Sequence, residues 1–234
     1  MRKNIIITGL PGTGKSTFIK KIISEYPNST GFTTNEIRED GERTGFEIET
    51  SKSEKALLAS THFKTLFKVS KYYVAIDELN RIIPCVAHFK NSDLLYLDEI
   101  GQMQLFSISF INDLVLKYFA APNTTIMTLS KVFEDPIITM IKERRDIILI
   151  EVTKENREEM LIYTKELLGK IAKAKRYVQE SERFSGKFPE ITMTTDHETR
   201  HLVFTADWQC DCSFFEKHKI CSHIIAVEKY TSIY

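Results

Sequence analysis

Residues 5–17 form one continuous motif, Ile-Ile-Ile-Thr-Gly-Leu-Pro-Gly-Thr-Gly-Lys-Ser-Thr. Its apolar run predicts a buried strand, and the pattern G-x-x-x-x-G-K-[ST] follows at residues 9–16, ahead of an amphipathic helix. The glycines let the backbone curl so that amide groups face a phosphate, which the positive end of the helix also attracts. Lys15 is expected to bridge the terminal phosphates of a nucleotide, and Ser16 to bind Mg²⁺. The predicted nucleotide contacts in this loop are Gly9, Gly12, Thr13, Gly14, Lys15, Ser16 and Thr17.

A second apolar run, residues 94–97, ends in the carboxylates of Asp98 and Glu99. The carboxyl ends of parallel strands meet at one edge of a sheet, so we expect this pair to lie beside the phosphate loop. Asp98 would contact the nucleotide site by holding Mg²⁺ through water, and Glu99 would orient or deprotonate the attacking water. An acidic pair after a strand is also a common start of a helix, which is the alternative without chemistry.

Short apolar runs alternate with helix-length amphipathic segments over about the first 150 residues. This alternation predicts an α/β fold with a doubly wound, mostly parallel sheet. Two segments, 43–50 and 72–76, alternate apolar and polar residues instead, which predicts antiparallel edge strands. The other expected strands are 31–34, 125–129 and 147–152, and the expected helices are 79–89, 107–119 and 136–144.

The C-terminal third differs from the rest of the chain in composition and in its pattern of apolar residues. Residues 154–183 are nearly free of glycine and proline, which predicts one long helix or two collinear helices. Beyond Gly186, residues 190–195 and 201–206 alternate like the strands of a hairpin. We therefore expect a nucleotide-binding domain at residues 1–158, a helical linker at 159–186 and a small module at 187–234.

Five segments of the first part together resemble one family. They are residues 7–17, 31–34 with 36–38, 43–46, 98–101, and 152–153 with 156–157. Their order and spacing are similar to those of the THEP1-type nucleoside triphosphatases, over Asn4 to about Glu158. The resemblance implies a RecA-like core of the P-loop NTPase type, Mg²⁺-dependent hydrolysis of a nucleoside triphosphate such as ATP or GTP, and loose base selectivity.

The chain departs from this family at two places. Gln104 stands where relatives carry an acid, which points to slow turnover if that acid tunes the base or the metal. Residues 130–132 read Ser-Lys-Val where relatives often carry a histidine and basic residues. A basic contact to the nucleotide is therefore missing or supplied from elsewhere in the chain.

An arginine supplied in cis is still expected, because charge develops on the transferred phosphoryl oxygens. Arg38, after the second strand, is the first candidate for this catalytic role, with Arg144 or Arg145 behind it. The alternative is that Arg38 pairs with Glu36 or Glu39 on a solvated loop.

The tail carries a second constellation of chemically active residues. Cys210, Cys212, Cys221 and His223 supply three thiolates and an imidazole, a complete tetrahedral ligand set for Zn²⁺. His218 is a rival ligand, and unpaired cysteines or a disulfide are the alternative to a metal. A module this small would draw much of its stability from the metal.

The same segment resembles the SWIM zinc finger, with its pattern C-x-C-x(n)-C-x-H, over about residues 188–230. Trp208 before the cysteines and the apolar residues 224–226 after them belong to the likeness. The resemblance favours His223 over His218 as the fourth ligand, and it implies that the module binds DNA or a protein.

Charge and hydropathy limit the partners. Lys plus Arg equals Asp plus Glu at 32 each, so no global field attracts nucleic acid or an anionic membrane. The sequence has neither a signal-peptide core nor a run long enough to span a bilayer, and we expect no membrane partner and a cytoplasmic location. The best local basic patch is Lys170, Lys173, Lys175 and Arg176, although such a run also fits a solvated helix face.

The leading hypothesis is therefore a Mg²⁺-dependent nucleoside triphosphatase that its zinc module docks on nucleic acid or on a protein. Two alternatives stay open. One is a slow, nucleotide-gated binding switch, and the other is a phosphotransferase that moves the terminal phosphate to a small acceptor.

Overall fold

The computed structural model describes residues 1–233 of the 234-residue chain. The chain divides into two compact units, and each is described by itself. One consists of residues Asn4–Leu161, and the other of Met1–Lys3 together with the chain from Ile162 onward. No helix within residues 1–233 is both long enough and apolar enough to cross a membrane.

The unit Asn4–Leu161 is built on a mixed sheet covered by helices. Its strands are β1 Asn4–Gly9, β2 Ser29–Glu39, β3 Glu42–Thr50, β4 Lys55–Ser60, β5 Lys68–Val69, β6 Tyr72–Val74, β7 Leu94–Ile100, β8 Thr125–Ser130 and β9 Ile147–Glu151. They lie in the order β5-β6-β4-β3-β2-β7-β8-β1-β9. The run from β2 to β9 is parallel, and the strands from β3 to β5 extend it in antiparallel fashion.

The helices of this unit follow the strands in the alternating order that a doubly wound sheet requires. They are α1 Lys15–Ile23, α2 Ile76–Ala87, α3 Gln102–Leu105, a π-helical stretch Phe110–Val115 that continues into α4 Leu116–Ala120, and α5 Pro136–Lys142. Apolar side chains of β1 and β7 are buried because helices cover both faces of these strands. The predicted α/β, mostly parallel fold is thereby confirmed.

The sheet differs from the prediction at several strands, β5 among them. β2 extends well past residue 34, because the antiparallel partner β3 supplies hydrogen bonds to the polar residues up to Glu39. Arg38, expected on a loop, consequently lies on a strand. β4 was not expected, since its sequence Lys-Ala-Leu-Leu-Ala-Ser has neither clean alternation nor β-branched residues.

The second unit contains the long helix and a small antiparallel sheet. The helix is a single one, α6 Arg157–Gln179, whose first five residues belong to the first unit. The sheet has the order β10 Phe184–Lys187, β11 Glu190–Thr194, β12 Thr199–Phe204 and β13 Trp208–Gln209, and the short helices α7 Ser213–His218 and α8 Ser222–Thr231 follow it. The expected hairpin corresponds to β11 and β12.

Candidate nucleotide and zinc sites

The phosphate loop lines a cleft of about 550 Å³ in the first unit. Of the predicted nucleotide contacts, the residues that line this cleft are Gly12, Gly14, Lys15, Ser16, Thr17 and Asp98, and Glu99 lines it with them. Gly9 ends the buried strand β1. Thr13 is buried and donates a hydrogen bond from Oγ1 to the carbonyl of Leu10 over 3.0 Å, which holds the curl of the loop.

Gly14 sets the geometry where the loop meets α1. Its φ of 93° lies in the left-handed region that favours glycine, and the next residue, Lys15, begins the helix. The Lys15 ammonium donates hydrogen bonds to the carbonyl oxygens of Gly9 at 2.9 Å and Leu10 at 3.2 Å. These carbonyls keep the Lys15 side chain folded over the loop, at the place where phosphate oxygens would compete for the same donors.

Asp98 lies near the end of β7 and is only 2% exposed. Its Oδ1 accepts a hydrogen bond from Thr128 Oγ1 at 2.7 Å, whereas Oδ2 is buried without a hydrogen-bond partner among residues 1–233. Burial raises the pKa of Asp98, and the nearby hydroxyls of Ser16 and Thr128 oppose that shift. A buried carboxylate oxygen without a donor, beside Ser16, fits a ligand of a hard cation such as Mg²⁺.

Glu99 follows at the same strand end. The pairing of β7 with β8 shifts between Leu97 and Ile100, so neither Asp98 nor Glu99 has a partner residue in the β7–β8 ladder. Burial and the negative charge of Asp98 raise the pKa of Glu99. A carboxylate with a raised pKa is a better proton acceptor for a water molecule, so the geometry and the charge suit a general base.

Two residues outside the predicted set connect these carboxylates to the rest of the sheet. Thr34 Oγ1 donates a 2.7 Å hydrogen bond to the backbone carbonyl of Asp98. The Gln104 amide, which is 3% exposed, reaches Thr34 Oγ1 at 3.4 Å. Gln104 therefore takes part in positioning Asp98, and the sequence signal for it was that relatives carry an acid at this position.

The candidate arginines are not among the residues that line the cleft. Arg38 donates to Glu36 Oε2 from Nε at 3.0 Å and from Nη2 at 2.6 Å. Arg144 pairs with Asp146 at 2.8 Å and borders a different surface depression, and Arg145 is exposed. A different arginine, Arg43 of β3, lines the cleft. It belongs to segment 43–46 of the family resemblance, but no role was predicted for it.

The zinc ligands predicted for the second unit come together. Cys210, Cys212, Cys221 and His223 are all buried, and their ligand atoms lie within 4.8 Å of one another. His223 Nδ1 is 3.4 Å from Cys210 Sγ and 3.7 Å from Cys221 Sγ. Tetrahedral zinc with usual bond lengths separates its ligand atoms by about 3.5 to 3.8 Å. The donor set and its spacing fit Zn²⁺.

Local structure explains how the four ligands converge. Cys210 follows β13, Cys212 immediately precedes α7, and Cys221 precedes α8, where its Sγ accepts a hydrogen bond from the amide of Ile224. The hydrogen bonds of the Cys221 thiol lower the pKa of Cys210 and Cys212 and raise the pKa of Cys221 itself, so the three sulfurs hold a proton that a bound metal would displace. His218, the rival ligand, instead stacks on Tyr163 with ring centroids 4.5 Å apart.

The basic residues of α6 already have contacts within the second unit. Arg176 forms an ion pair with Asp196. Lys170 and Lys173 lie over the rings of Phe214 and Tyr177, at 4.6 and 5.4 Å. Burial, and then the charge of Lys3, lower the pKa of Lys175 to about 8. The basic patch of α6 is therefore less available to an anionic partner than its sequence indicates.

The strand, loop and helix of residues 4–23, with Asp98 and Glu99 at the same sheet edge, define a P-loop nucleotide-binding protein. Comparison with known proteins agrees. The family described as NTPase matches residues 4–164, and the SWIM zinc finger matches residues 201–231. The chain belongs to this NTPase family and is a nucleoside-triphosphate phosphatase with a C-terminal SWIM zinc finger.

Individual relatives match about two thirds of this chain and nearly all of their own length. Nucleoside-triphosphatase THEP1 of Thermotoga sp. (strain RQ2) is 40% identical over 159 residues, which span 67% of this chain and 90% of that protein. The cancer-related nucleoside-triphosphatase homolog of Mus musculus is 29% identical over 179 residues, 69% of this chain and 94% of the relative. The crystal structure of THEP1 from the hyperthermophile Aquifex aeolicus has a TM-score of 0.59 at 35% identity, covering 70% of this chain and 98% of that one.

Proposed function

We propose that this chain is a Mg²⁺-dependent hydrolase of ATP or GTP whose zinc module docks it on a nucleic acid or a protein partner. The observation that carries the first part is the unpaired, buried Oδ2 of Asp98 in the cleft that Lys15 and Ser16 also line. Ser16 and Asp98 would hold the ion, which would neutralise charge on the phosphate oxygens.

The catalytic step follows from the placement of Glu99. Glu99 accepts a proton from a water molecule as the water oxygen attacks the terminal phosphorus, and the bond from that phosphorus to the bridging oxygen breaks. The products are a nucleoside diphosphate and inorganic phosphate, and the proton leaves Glu99 afterwards. Lys15 exchanges the carbonyls of Gly9 and Leu10 for phosphate oxygens when the nucleotide binds. Arg38 remains the sequence-based candidate for the arginine supplied in cis.

The zinc module would hold its fold through Cys210, Cys212, Cys221 and His223 and present a surface to the partner. The SWIM match supports this docking role. The chain would then divide into a hydrolase domain at 1–158, a helical linker at 159–186 and the zinc module at 187–234. Free cysteine thiols among these ligands suit a reducing compartment, and we place the protein in the cytoplasm.

A slow nucleotide-gated switch is the second candidate. The neutral Gln104 at the position where relatives carry an acid favours it, because an amide cannot take up a proton or strengthen metal binding by charge. Steady-state turnover separates the two, because hydrolysis in a switch is slow and serves only to time the release of its partner.

The test is phosphate release with Mg²⁺, with chelator, and in variants. We expect release to require Mg²⁺ and to fall by about 10² to 10⁴ in Glu99→Gln, which still binds nucleotide. Lys15→Ala should weaken both binding and turnover, whereas Glu143→Gln, exposed at the end of α5, serves as the control. Wild-type activity in Glu99→Gln, or full activity in chelator, would contradict the proposal. Appearance of a phosphorylated acceptor in place of phosphate would indicate a phosphotransferase.

A further inference from the structure

Lys15 and the proposed Mg²⁺ site are two sources of positive charge for the transferred phosphoryl group, and an arginine is the usual third. The equatorial oxygens of this group carry spread negative charge in the transition state, and related enzymes place an arginine against them. In this chain residues 130–132 at the end of β8 are Ser-Lys-Val, and Lys131 is paired with Glu151. The cleft must therefore take its arginine from another element.

Within residues 1–233, Arg43 is the arginine in the lining of the cleft that holds Lys15, Asp98 and Glu99. It comes from the second residue of β3. The register of the β2–β3 hairpin pairs Arg43 with Arg38, so neighbouring strands carry both residues. Only one of the two reaches the cleft lining.

The Arg43 guanidinium is held in place from several sides. Its Nε donates to Tyr72 Oη at 2.9 Å, and Tyr72 Oη donates to the carbonyl of Arg43 itself at 3.2 Å. Its Nη1 donates to Glu36 Oε1 at 2.7 Å. The guanidinium carbon lies 5.1 Å from the ring centroid of Phe46 and 5.6 Å from that of Tyr72. This arrangement fixes a normally mobile side chain at the cleft wall.

The group nevertheless keeps hydrogen-bonding capacity. A guanidinium has five N–H donors, and among the described residues Arg43 uses the one on Nε and one on Nη1. Glu36 is shared, because Arg38 occupies its Oε2 while Arg43 occupies Oε1. Arg43 therefore does not have to leave Glu36 or Tyr72 to donate to a further acceptor.

We propose that Arg43 is a catalytic residue whose remaining N–H groups donate to the oxygens of the terminal phosphoryl group in the transition state. Tyr72 and Glu36 are its positioning residues. The proposal rests on the hydrolytic roles of Lys15 and Glu99 given above. Arg43 neither gives nor takes a proton in the step, and it stabilises only the charge that moves onto the phosphoryl oxygens.

The experiment compares Arg43→Ala and Arg43→Lys with Arg81→Ala, a control on α2 that bonds to Glu78 and lies outside the cleft lining. We expect kcat to fall by about 10³ in Arg43→Ala, with the Kd of a non-hydrolysable nucleotide changed by less than about threefold. The variant should also fail to trap the nucleoside diphosphate with aluminium fluoride, a transition-state mimic. Arg43→Lys, which keeps the charge, should recover only part of the activity.

Two further measurements keep the outcome decisive. Added guanidinium should raise the turnover of Arg43→Ala and leave that of Glu99→Gln unchanged. Tyr72→Phe, which keeps the ring and loses the hydroxyl, should lower kcat by about tenfold. If folded Arg43→Ala and Arg43→Lys keep kcat within about threefold of the wild type, or if only Arg38→Ala loses activity, the proposal is overturned. An inactive Glu99→Gln beside an active Arg43→Ala would sink this inference alone and leave the hydrolase assignment standing.

Discussion

The carboxylate of Glu99 lies so close to Gly101 that a Cβ atom at position 101 would be 2.7 Å from Glu99 Oε1. Real Cβ atoms do not approach an oxygen this closely, so any side chain at position 101 must move Glu99. The same Cβ would lie 3.3 Å from Gln104 Oε1, so it could not move away from Glu99 toward Gln104. Because Gly101 has no side chain, there is room for the carboxylate of Glu99, the proposed general base.

We expect Gly101→Ala to displace Glu99 and to lower kcat by about tenfold to 10², while nucleotide binding is retained. Gly169→Ala is the matched control, because a Cβ there has nothing within 4 Å and Gly169 lies inside α6. That control should leave kcat unchanged and stabilise the helix by up to about 1 kcal/mol. Steady-state kinetics and thermal unfolding measure both effects. Equal kcat in Gly101→Ala and the wild type would show that Glu99 is free to move.

The part of the site that sequence could predict is local in the chain. The run through Lys15 and Ser16 and the strand ending in Asp98 each combine strand, loop and charge within a few residues. The part that was missed depends on contacts between distant segments. Arg43 reaches the cleft through hairpin register and through Tyr72, 29 residues away, and Gln104 meets Thr34 across 70 residues. A single sequence contains no pattern that encodes either pairing.

The cysteine cluster shows the same distinction. Its ligands lie within 14 residues of chain, from Cys210 to His223, and their chemistry is specific, so sequence could name them. The surrounding support is non-local: the ring of Tyr177 on α6 stacks on His223 with centroids 6.4 Å apart. Glu228 on α8, buried to 3% exposure, is paired with Arg2 at the other end of the chain.

We expect one tightly bound zinc ion per chain, released when a ligand is removed. Cys212→Ser should lose the metal and unfold the second unit, because the small sheet and its helices bury too little apolar surface to fold without it. The first unit should stay folded and keep hydrolysing nucleotide. Metal analysis of natively purified protein, with circular dichroism and phosphate release, measures the three results.

The matched control for the fourth ligand is the other histidine. His223→Ala should lose zinc, whereas His218→Ala, which removes a ring stacked on Tyr163, should keep it. Full zinc retention in His223→Ala, or protein without zinc before any substitution, would contradict the ligand set.

A buried lysine gives the second unit a predictable pH dependence. Burial lowers the pKa of Lys175 to about 8 in the folded protein, against about 10.4 in the unfolded chain. Between these two pH values the unfolded state binds more protons, so the free energy of unfolding rises with pH through this window. Below pH 8 the protonated Lys175 destabilises the folded state by a constant amount.

Replacing Lys175 with Met should therefore stabilise the second unit at pH 7, by about 1 to 2 kcal/mol after allowance for partial exposure. The gain should shrink as the pH rises toward 10. Lys187→Met, an exposed position on β10, should show no such dependence. Urea unfolding of the full chain at pH 7 and pH 9.5 measures the difference. A gain that stays constant over this interval would contradict the assignment to Lys175.

The basic residues of α6 set a limit on how strongly the second unit can bind nucleic acid. Arg176 is paired with Asp196, and Lys175 is half-buried with a lowered pKa. Lys170 and Lys173 lie over aromatic rings, which leaves an ammonium its charge and its donors for a phosphate. Lys170 and Lys173 are therefore the two residues of this face best placed to contact phosphates.

We therefore expect weak binding of nucleic acid with little sequence selectivity. Each phosphate contact contributes about −0.9 to the slope of log K against log salt for duplex DNA, so two contacts give a slope near −2. Lys170→Ala combined with Lys173→Ala should flatten this slope, whereas the double change of Lys187 and Lys217, both exposed in the same unit, should preserve it. Titration of labelled single-stranded and duplex DNA and RNA at low salt, with zinc bound, measures the affinity. A slope that survives the first double variant would place the contact elsewhere. If neither DNA nor RNA binds at tens of micromolar protein, the zinc module has no phosphate-binding surface. Its partner would then be a protein.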